Sequence, residues 1–316
     1  MENLARSTTL RKTDIIGSME NEKQFVIAHL SDLHLTASDY HSRRNPKIFG
    51  ALKGMNEAFR NIIKSQPIRD ANLIIVTGDI TDRGDIGTWA YFWKEIEAAG
   101  LSDRVMVVPG NHDVCCLGAR MPFKKKTHRQ RDLEKVNNGL QIGNQPAQFP
   151  WVREYDKHIV IFGLNSNNLG NITFLSNAIG RIGQDQLLGF AKQLYMHRNV
   201  PVKIVVLHHG PNITEKADVK KRGGKLMSKL ALAGRHIPNR QQRILMLLCL
   251  SHGVQLIAHG HVHKAEDRIV NGIRIVGAPP TTQPISRTRR NTYQFYTYTI
   301  QGQDARVNTK LEKIQI

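Results

Sequence analysis

Cysteine is scarce in this chain, and long apolar runs are absent. Three cysteines occur among 316 residues, two of them adjacent (Cys115 and Cys116) and one in an apolar stretch (Cys249). An odd and sparse set argues against a disulfide framework and indicates a reducing compartment, so we expect a cytoplasmic protein. The longest fully apolar stretch, 244–250, is far shorter than the roughly 20 residues of a transmembrane helix. No apolar segment follows the N-terminal charges, so a signal peptide is not expected.

Acidic residues are outnumbered, since 26 Asp and Glu stand against 45 Lys and Arg, for a formal net charge of +19. With 40% apolar and 22% charged residues, the composition is otherwise that of an ordinary globular protein. One interpretation is that the charge attracts an anionic partner, which can be a phosphorylated small-molecule substrate, nucleic acid or an anionic membrane surface. The other is that it forms a solvated surface that only aids solubility. The sequence does not indicate an oligomeric state.

One pattern recurs along the chain: an apolar, β-branched run of strand length ends in carboxylate, amide or imidazole side chains. The runs are 25–30, 72–76, 105–108, 203–207 and 254–258, and the residues that follow them include Asp32, His34, Asp79, Asn111, His112, Asp113, His208, His209, His261 and His263. Strands of an open α/β sheet present their carboxyl ends to a common crevice. The pattern therefore predicts a polynuclear metal site.

These motifs are Asp-x-His, Gly-Asp, Gly-Asn-His-Asp, a His after a strand and Gly-His-x-His, and in this order they span residues 32–263. They resemble those of the calcineurin-like metallophosphoesterases, and among these the class III cyclic-nucleotide phosphodiesterases. The resemblance implies an α/β fold in which two mixed β-sheets pack face to face as a sandwich flanked by helices. We expect a flexible arm over 1–24 and one domain over 25–316, with insertions near 114–152 and 212–239.

The resemblance also implies a set of ligands for two divalent metal ions. One metal would be bound by Asp32, His34, Asp79 and His263, and the other by Asp79, Asn111, His208 and His261, so that Asp79 bridges the two. Two such ions clamp a phosphate and generate the hydroxide that attacks it. Mixed His and Asp ligands suit manganese, iron, zinc or magnesium, and the sequence does not choose among them.

Four further residues are candidates for catalysis or substrate contact. His112 is expected to protonate the leaving group, and Asp113 to orient the His112 ring by accepting its other N–H. Arg83 lies in a stretch similar to one of the protein Ser/Thr phosphatases, although Leu35 stands where those have Gly; its alternative is a surface ion pair. His209 is a candidate for substrate contact, with an orienting role as its alternative.

Several elements outside the motifs are also predicted. Asp85 is expected to cap a helix over 86–99 that buries a stripe of aromatic residues. A strand is predicted over 292–300, but its apolar residues fall on both faces, so the sequence does not indicate which face is buried. The stretch 114–152 is interpreted as loops with one short helix. A helix over 185–197 should bury Leu187, Leu188, Phe190 and Leu194. The stretch 212–239 is interpreted as a basic flap. Asn271-Gly272 indicates a hairpin turn.

The favoured function is hydrolysis of a phosphodiester, such as a cyclic nucleotide, by a metal-bridging hydroxide. A second hypothesis is a pyrophosphatase of a UDP-linked acylated sugar, as in lipid A synthesis. A site that binds acyl chains should be covered by an apolar cap, whereas the two insertions of this chain are basic, which argues against this hypothesis. A third is a non-catalytic basic protein that binds nucleic acid or a membrane surface. The complete set of ligands implied by the resemblance argues against the third hypothesis.

Overall fold

The computed structural model describes residues 24–39, 54–114, 126–167, 179–211, 237–286, 288, 291–301 and 306–316, with only the backbone described over 126–132. The predicted arm lies outside these ranges except for Gln24, and the predicted flap lies outside them except for its last three residues. Within the described part, no helix is both long and apolar enough to cross a membrane.

Eleven strands of the described part of the chain form two mixed sheets. They are β1 (Phe25–Leu30), β2 (Leu73–Thr77), β3 (Val105–Val108), β4 (Trp151–Tyr155), β5 (Ile159–Gly163), β6 (Val202–Val206), β7 (Leu256–His259), β8 (Glu266–Val270), β9 (Ile273–Gly277), β10 (Thr292–Gln301) and β11 (Arg306–Gln315). The first sheet has the order β11-β10-β1-β2-β3 and the second β4-β5-β6-β7-β9-β8. Strands β1 to β3 are parallel, as are β5, β6, β7 and β9, while antiparallel strands lie at the edges.

In the described ranges, seven helices accompany the sheets: α1 (Met55–Ile63), α2 (Gln66–Asp70), α3 (Ile86–Ala98), α4 (Asn111–Val114), α5 (Lys126–Ile142), α6 (Gln184–Met196) and α7 (Asn239–Ser251). The short α4 begins at the Asn-His motif, and a 3-10 turn over Ser102–Arg104 precedes β3. Helices that connect parallel strands cover the outer faces of the sheets. The predicted α/β sandwich with flanking helices is confirmed.

The core between the two sheets forms because alternate residues of each strand point to opposite faces. Ile27 and Ile75 of the first sheet pack with Ile161 and Val206 of the second in one buried cluster. Their neighbour Ala28 faces the other way and packs beneath the helices. Each such buried aliphatic side chain stabilises the fold by roughly 1.5–3 kcal/mol.

Strand β10 is buried on both faces. Phe295 packs in the cluster beneath the helices of the first sheet, whereas Tyr296, Tyr298 and Ile300 pack between the sheets. The apolar residues of β10 therefore cannot separate into an inner and an outer set, which explains why the sequence shows no clear alternation over 292–300.

Helix α3 begins as predicted. The Asp85 carboxylate caps it by accepting the backbone N–H of Thr88 at 2.8 Å. The predicted aromatic stripe is buried, and the indole N–H of Trp93 donates to the Gly139 carbonyl of α5 at 2.8 Å. A Cβ at Gly139 would lie 2.4 Å from the Trp89 ring, so the two helices can pack this closely only with glycine there.

Two expectations about local structure are corrected, and three elements were not predicted. The stretch 114–152 holds more than loops and a short helix, because α5 has 17 residues and buries Val136 and Leu140. The helix was missed because the apolar residues of α5 lie in its second half, and only there does the sequence show helical spacing. In α6, Leu188 is 64% exposed and is not an inward residue. β4, α2 and β11 were not predicted, and in β11 the apolar residues Val307, Leu311 and Ile314 do not follow the period of two that indicates a strand.

The Asn271-Gly272 hairpin is confirmed. Both residues have positive φ, 50° and 85°, as the mirror-image turn of a two-residue hairpin requires. Strands β8 and β9 pair antiparallel on either side of it.

Candidate metal centre

The predicted ligands lie on loops that follow the carboxyl ends of β1, β2, β3, β6 and β7. Five of them have left-handed backbone, which non-glycine residues rarely adopt: the φ angles are 53° for Asp32, 46° for His34, 50° for Asp79, 69° for His261 and 55° for His263. Each such conformation costs about 1–3 kcal/mol and persists only where the surroundings enforce it. This concentration of strain marks the loop edge as a functional site.

Backbone hydrogen bonds hold the first two loops against each other. The N–H of Asp32 donates to the Gly78 carbonyl at 3.0 Å, and that of His34 to the Asp79 carbonyl at 2.8 Å. Two threonines fix the Asp-x-His loop from the other side, since the Thr281 hydroxyl accepts the Ser31 N–H and the Thr282 hydroxyl donates to the Leu33 carbonyl. The loop is therefore rigid on both sides.

Two glycines allow the loops to approach closely. A Cβ at Gly78 would lie 2.6 Å from Nδ1 of His208, and one at Gly110 would lie 2.2 Å from Oδ1 of Asp79. Gly78 also has a φ of 88°. Any side chain at either position would displace a residue of the site.

A first cluster joins Asp32, His34, Asp79 and His263, each with one ligand atom within 4.8 Å of the others. Nε2 of His263 lies 3.0 Å from Oδ1 of Asp32 and 3.2 Å from Nε2 of His34. Burial alone would raise the pKa of Asp32, but the His263 ring outweighs it and lowers this pKa to about 2. The carboxylate is therefore ionised at neutral pH, as a metal ligand must be.

A second cluster forms around His208. Its Nδ1 donates to the Thr77 carbonyl at 2.6 Å, so that Nε2 points at Oδ1 of Asn111 (3.1 Å) and Oδ1 of Asp79 (3.4 Å). In the neutral ring Nε2 carries a lone pair, so only a proton or a cation can sit among these three atoms. Burial would lower the pKa of His208, but the Asp79 carboxylate raises it to about 9. The position therefore attracts positive charge.

The His261 ring completes this cluster, with its centroid 5.0 Å from that of His208. Ligand atoms of His208, His209 and His261 lie within 4.8 Å of one another. His209 is fully buried and its Nδ1 lies 3.0 Å from the Ser166 hydroxyl. That placement favours the orienting alternative for His209 over substrate contact.

His112 lies at the mouth of the site with 12% of its side chain exposed. Its backbone N–H donates to Oδ1 of Asp79 at 2.8 Å, and its ring meets that of His34 edge-on with centroids 4.6 Å apart. Nδ1 of His112 lies 3.1 Å from the Asp82 carbonyl, which accepts its hydrogen bond. This hydrogen bond fixes the orientation of the His112 ring.

The expected contact between Asp113 and the His112 ring is not formed. Among the described residues, the buried Asp113 carboxylate accepts the backbone N–H groups of Gly110, Ile80 and Thr81 and the Thr81 hydroxyl, at 2.8–3.3 Å. It therefore clamps the two central loops together. Burial and the nearby Asp79 charge raise the pKa of Asp113 to about 6.

Arg83 follows the buried Asp82 and pairs with it, with Nε 3.4 Å from Oδ2. Its side chain is 33% exposed, beside the Asp82 carbonyl that holds His112. The ion pair proposed as the alternative for Arg83 is present, and it lies at the rim of the site.

Sequence reasoning missed the residues that support the ligands. The Ser31 hydroxyl donates to Oδ2 of Asp32 at 2.6 Å. Buried His29 contacts the Thr77 hydroxyl through Nε2 (2.8 Å) and the Tyr298 hydroxyl through Nδ1 (2.5 Å). Thr77 in turn receives the His208 N–H. These side chains lie inside apolar strands, and only His29 gave a signal, as a polar residue in the run 25–30.

Comparison with known proteins agrees with this geometry. The family described as Calcineurin-like phosphoesterase matches residues 25–265. The chain belongs to this family. It is a hydrolase that acts on ester bonds.

Two curated relatives of this phosphoesterase match most of its length. A probable cyclic nucleotide phosphodiesterase of Xenorhabdus bovienii is 22% identical over 244 residues, which cover 75% of this chain and 78% of the relative. A probable glycerophosphodiester phosphodiesterase of Arcobacter nitrofigilis is 24% identical over 264 residues, which cover 83% and 80%. A dimetal phosphatase from Danio rerio has the same fold, with a TM-score of 0.57 at 11% identity over 91% of this chain and 98% of that one.

Proposed function

We propose that this phosphoesterase is a binuclear metal-dependent phosphodiesterase. The observation that carries the proposal is the position of Asp79 between the two clusters. Its Oδ1 lies 3.4 Å from Nε2 of His208, while its Oδ2 lies 3.9 Å from Nε2 of His34. A carboxylate that offers one oxygen to each cluster suits a bridge between two cations.

The residues present fit two divalent ions. One would be held by Asp32, His34, Asp79 and His263, and the other by Asp79, Asn111, His208 and His261. Two such cations, when bound, neutralise the phosphate and supply a hydroxide nucleophile. The mixture of imidazole, carboxylate and amide donors suits manganese, iron, zinc or magnesium.

The chain's own residues then position the diester and move one proton. His112, held by the Asp82 carbonyl through Nδ1, donates a proton from Nε2 to the leaving oxygen. Arg83, at the rim beside Asp82, is placed to attract a phosphate oxygen. His209 and Asp113 hold neighbouring loops together, since both side chains are buried and hydrogen-bonded to residues of those loops.

The substrate class we infer is a small soluble phosphodiester, such as a cyclic nucleotide. The names of the relatives from Xenorhabdus bovienii and Arcobacter nitrofigilis both specify phosphodiesters, which supports this class over a pyrophosphate. The scarcity of cysteine agrees with a cytoplasmic enzyme that meets such substrates.

A substrate panel on metal-reconstituted protein tests the proposal. It compares cyclic AMP, glycerophosphodiesters, aryl phosphodiesters, an acylated UDP-sugar and single-stranded DNA, without detergent except for the acylated substrate. We expect turnover of the soluble diesters. Release of UMP from the acylated UDP-sugar with no turnover of the soluble diesters would establish the pyrophosphatase instead, and no turnover of any would favour a binding protein.

A further inference from the structure

Exposed apolar side chains are concentrated on two neighbouring helices. Among the described residues, ten large apolar side chains are exposed, and six of these lie on α6 and α7: Leu188, Tyr195, Met196, Ile244, Leu247 and Leu250. Leu188 is 64% exposed, and Tyr195 and Leu247 are each 62% exposed. Single exposed apolar residues need no explanation, but a contiguous group indicates an interaction surface.

The two helices lie side by side in the same direction. Helix α6 connects β5 to β6 and α7 connects β6 to β7, so both cross the outer face of the second sheet. Near their N-termini, the backbone N–H of Ile182, which precedes α6, donates to Oε1 of Gln241 in α7 at 3.1 Å. Their inner residues, among them Phe190 and Leu245, share one buried cluster.

The exposed residues lie level with each other along this pair. Each helix has 13 residues, which corresponds to roughly 20 Å at 1.5 Å per residue. Leu188 and Ile244 lie in the second turns, and Tyr195 and Leu250 near the last turns. We call this surface, made of the six exposed residues, the α6–α7 face. It extends from the second turn to the last turn of both helices.

Cations predominate around the α6–α7 face, although Oε2 of the exposed Glu154 lies 3.9 Å from Nε2 of His197 just after α6. Lys192 lies one turn from Leu188, Arg240 and Arg243 lie on the exposed side of α7, and the Arg198 guanidinium stacks on the Tyr195 ring at 4.7 Å. Within these two fully described helices, Asp185 is the only acidic residue. Long cationic side chains beside apolar residues suit a lipid interface, where they reach up to the headgroups.

We propose that the α6–α7 face binds the surface of an anionic lipid bilayer. Leucine, isoleucine and methionine would enter the boundary of the acyl chains, tyrosine would lie at headgroup level, and the four cations would meet the lipid phosphates. A second copy of the chain is a poorer occupant, because a symmetric contact would place these cations against the same cations of the partner. The proposal does not depend on the substrate of the enzyme.

Vesicle sedimentation tests the proposal, with phosphatidylcholine vesicles that contain or lack phosphatidylglycerol. Because the net charge alone attracts the protein to anionic vesicles, apolar substitutions decide the outcome. The double variant Leu188→Gln/Leu247→Gln should bind anionic vesicles at least about tenfold more weakly. Ile269→Gln is the matched control, since Ile269 is also 64% exposed but lies on β8 at the sheet edge; its binding should be unchanged.

A second variant removes charge in place of apolar area. Arg240→Gln/Arg243→Gln should weaken anionic binding about fivefold for each charge removed. Hydrolysis of a soluble diester should be unchanged in every variant, which shows an intact fold. The proposal is overturned if the wild-type protein does not sediment with anionic vesicles, or if the double variant binds as well as Ile269→Gln. It is also overturned if the wild type is a dimer in solution that the double variant dissociates.

Discussion

Nε2 of His208 lies 3.1 Å from Oδ1 of Asn111, although the two residues are 97 positions apart in the chain. The contact forms because Nδ1 of His208 donates to the Thr77 carbonyl and so turns Nε2 toward the amide oxygen. Asp79 approaches the same nitrogen from the adjacent loop. His208, Asn111 and Asp79 thus surround one position that attracts positive charge.

The bridging position of Asp79 can be tested by metal content. We expect about two divalent ions per wild-type chain, a loss at both positions in Asp79→Asn, and a loss of one ion in Asn111→Ala. Elemental analysis of the purified proteins measures this. Asp103→Asn, in the 3-10 turn before β3, is the control and should retain both ions. Loss of a single ion from Asp79→Asn would contradict the bridge.

The role of His112 can be tested through the leaving group. His112→Ala should keep both ions and lower kcat about 10²–10⁴-fold on a natural diester, the usual range for a lost proton donor. The loss should be much smaller on an aryl diester, because nitrophenolate leaves without protonation. Steady-state kinetics on both substrates gives the comparison. Equal losses would show that His112 positions phosphate, and loss of metal would show that it holds the site together.

The strands, the order of the ligand loops and the sandwich could be predicted, because each depends on local signals. An apolar run followed by Asp32 or His208 is visible in the sequence, and Asp85 is a recognisable N-cap residue that predicts the start of α3. The support of the ligands could not be predicted. His29, Thr77 and Tyr298 meet only when three strands of the first sheet come together, and only His29 differs locally from other strand residues, as a polar residue in an apolar run.

The assigned partner of His112 shows the same limit. Adjacency in sequence suggested Asp113, but α4 turns consecutive side chains about 100° apart, so Asp113 points at the loop over 78–81 while His112 points at Asp82. Helix α5 was underestimated for a different reason. Its polar first half hides the spacing of Val136 and Leu140, and its burial depends on the aromatic stripe of α3.

Two basic segments of the sequence, which lie outside the residues whose side chains the structure describes, give a prediction about salt. If Lys124, Lys125, Lys126 and the cluster 216–229 recruit an anionic substrate, KM should rise with ionic strength while kcat stays nearly constant, because screening weakens encounter and binding. Replacing Lys220, Lys221 and Arg222 by Gln should flatten this dependence. The same change at Arg306, Lys310 and Lys313, which are exposed on β11, is the control of equal charge. A KM that does not vary with salt would assign these charges to solubility.

The last prediction concerns stability and pH. Burial, followed by the nearby His259 ring, lowers the pKa of His29 from 6.5 to about 3. Between these two pH values the unfolded chain binds a proton at residue 29 that the native protein does not bind. Stability is therefore lost as the pH falls below about 6.5, by up to about 1.4 kcal/mol per pH unit from this group.

His29→Gln keeps a donor and an acceptor for Thr77 and Tyr298 but cannot titrate. Whatever its stability at neutral pH, the variant should lose less free energy of unfolding between pH 6.5 and pH 5 than the wild type, by up to about 2 kcal/mol. Urea unfolding at several pH values measures the difference between the two proteins. Protonation of the histidines proposed as metal ligands is common to both and cancels. Tyr298→Phe, which removes the hydroxyl but leaves His29 in place, should keep the wild-type slope. Parallel pH curves for the wild type and His29→Gln would show that His29 is protonated in the native protein and that its burial does not set the acid sensitivity of the fold.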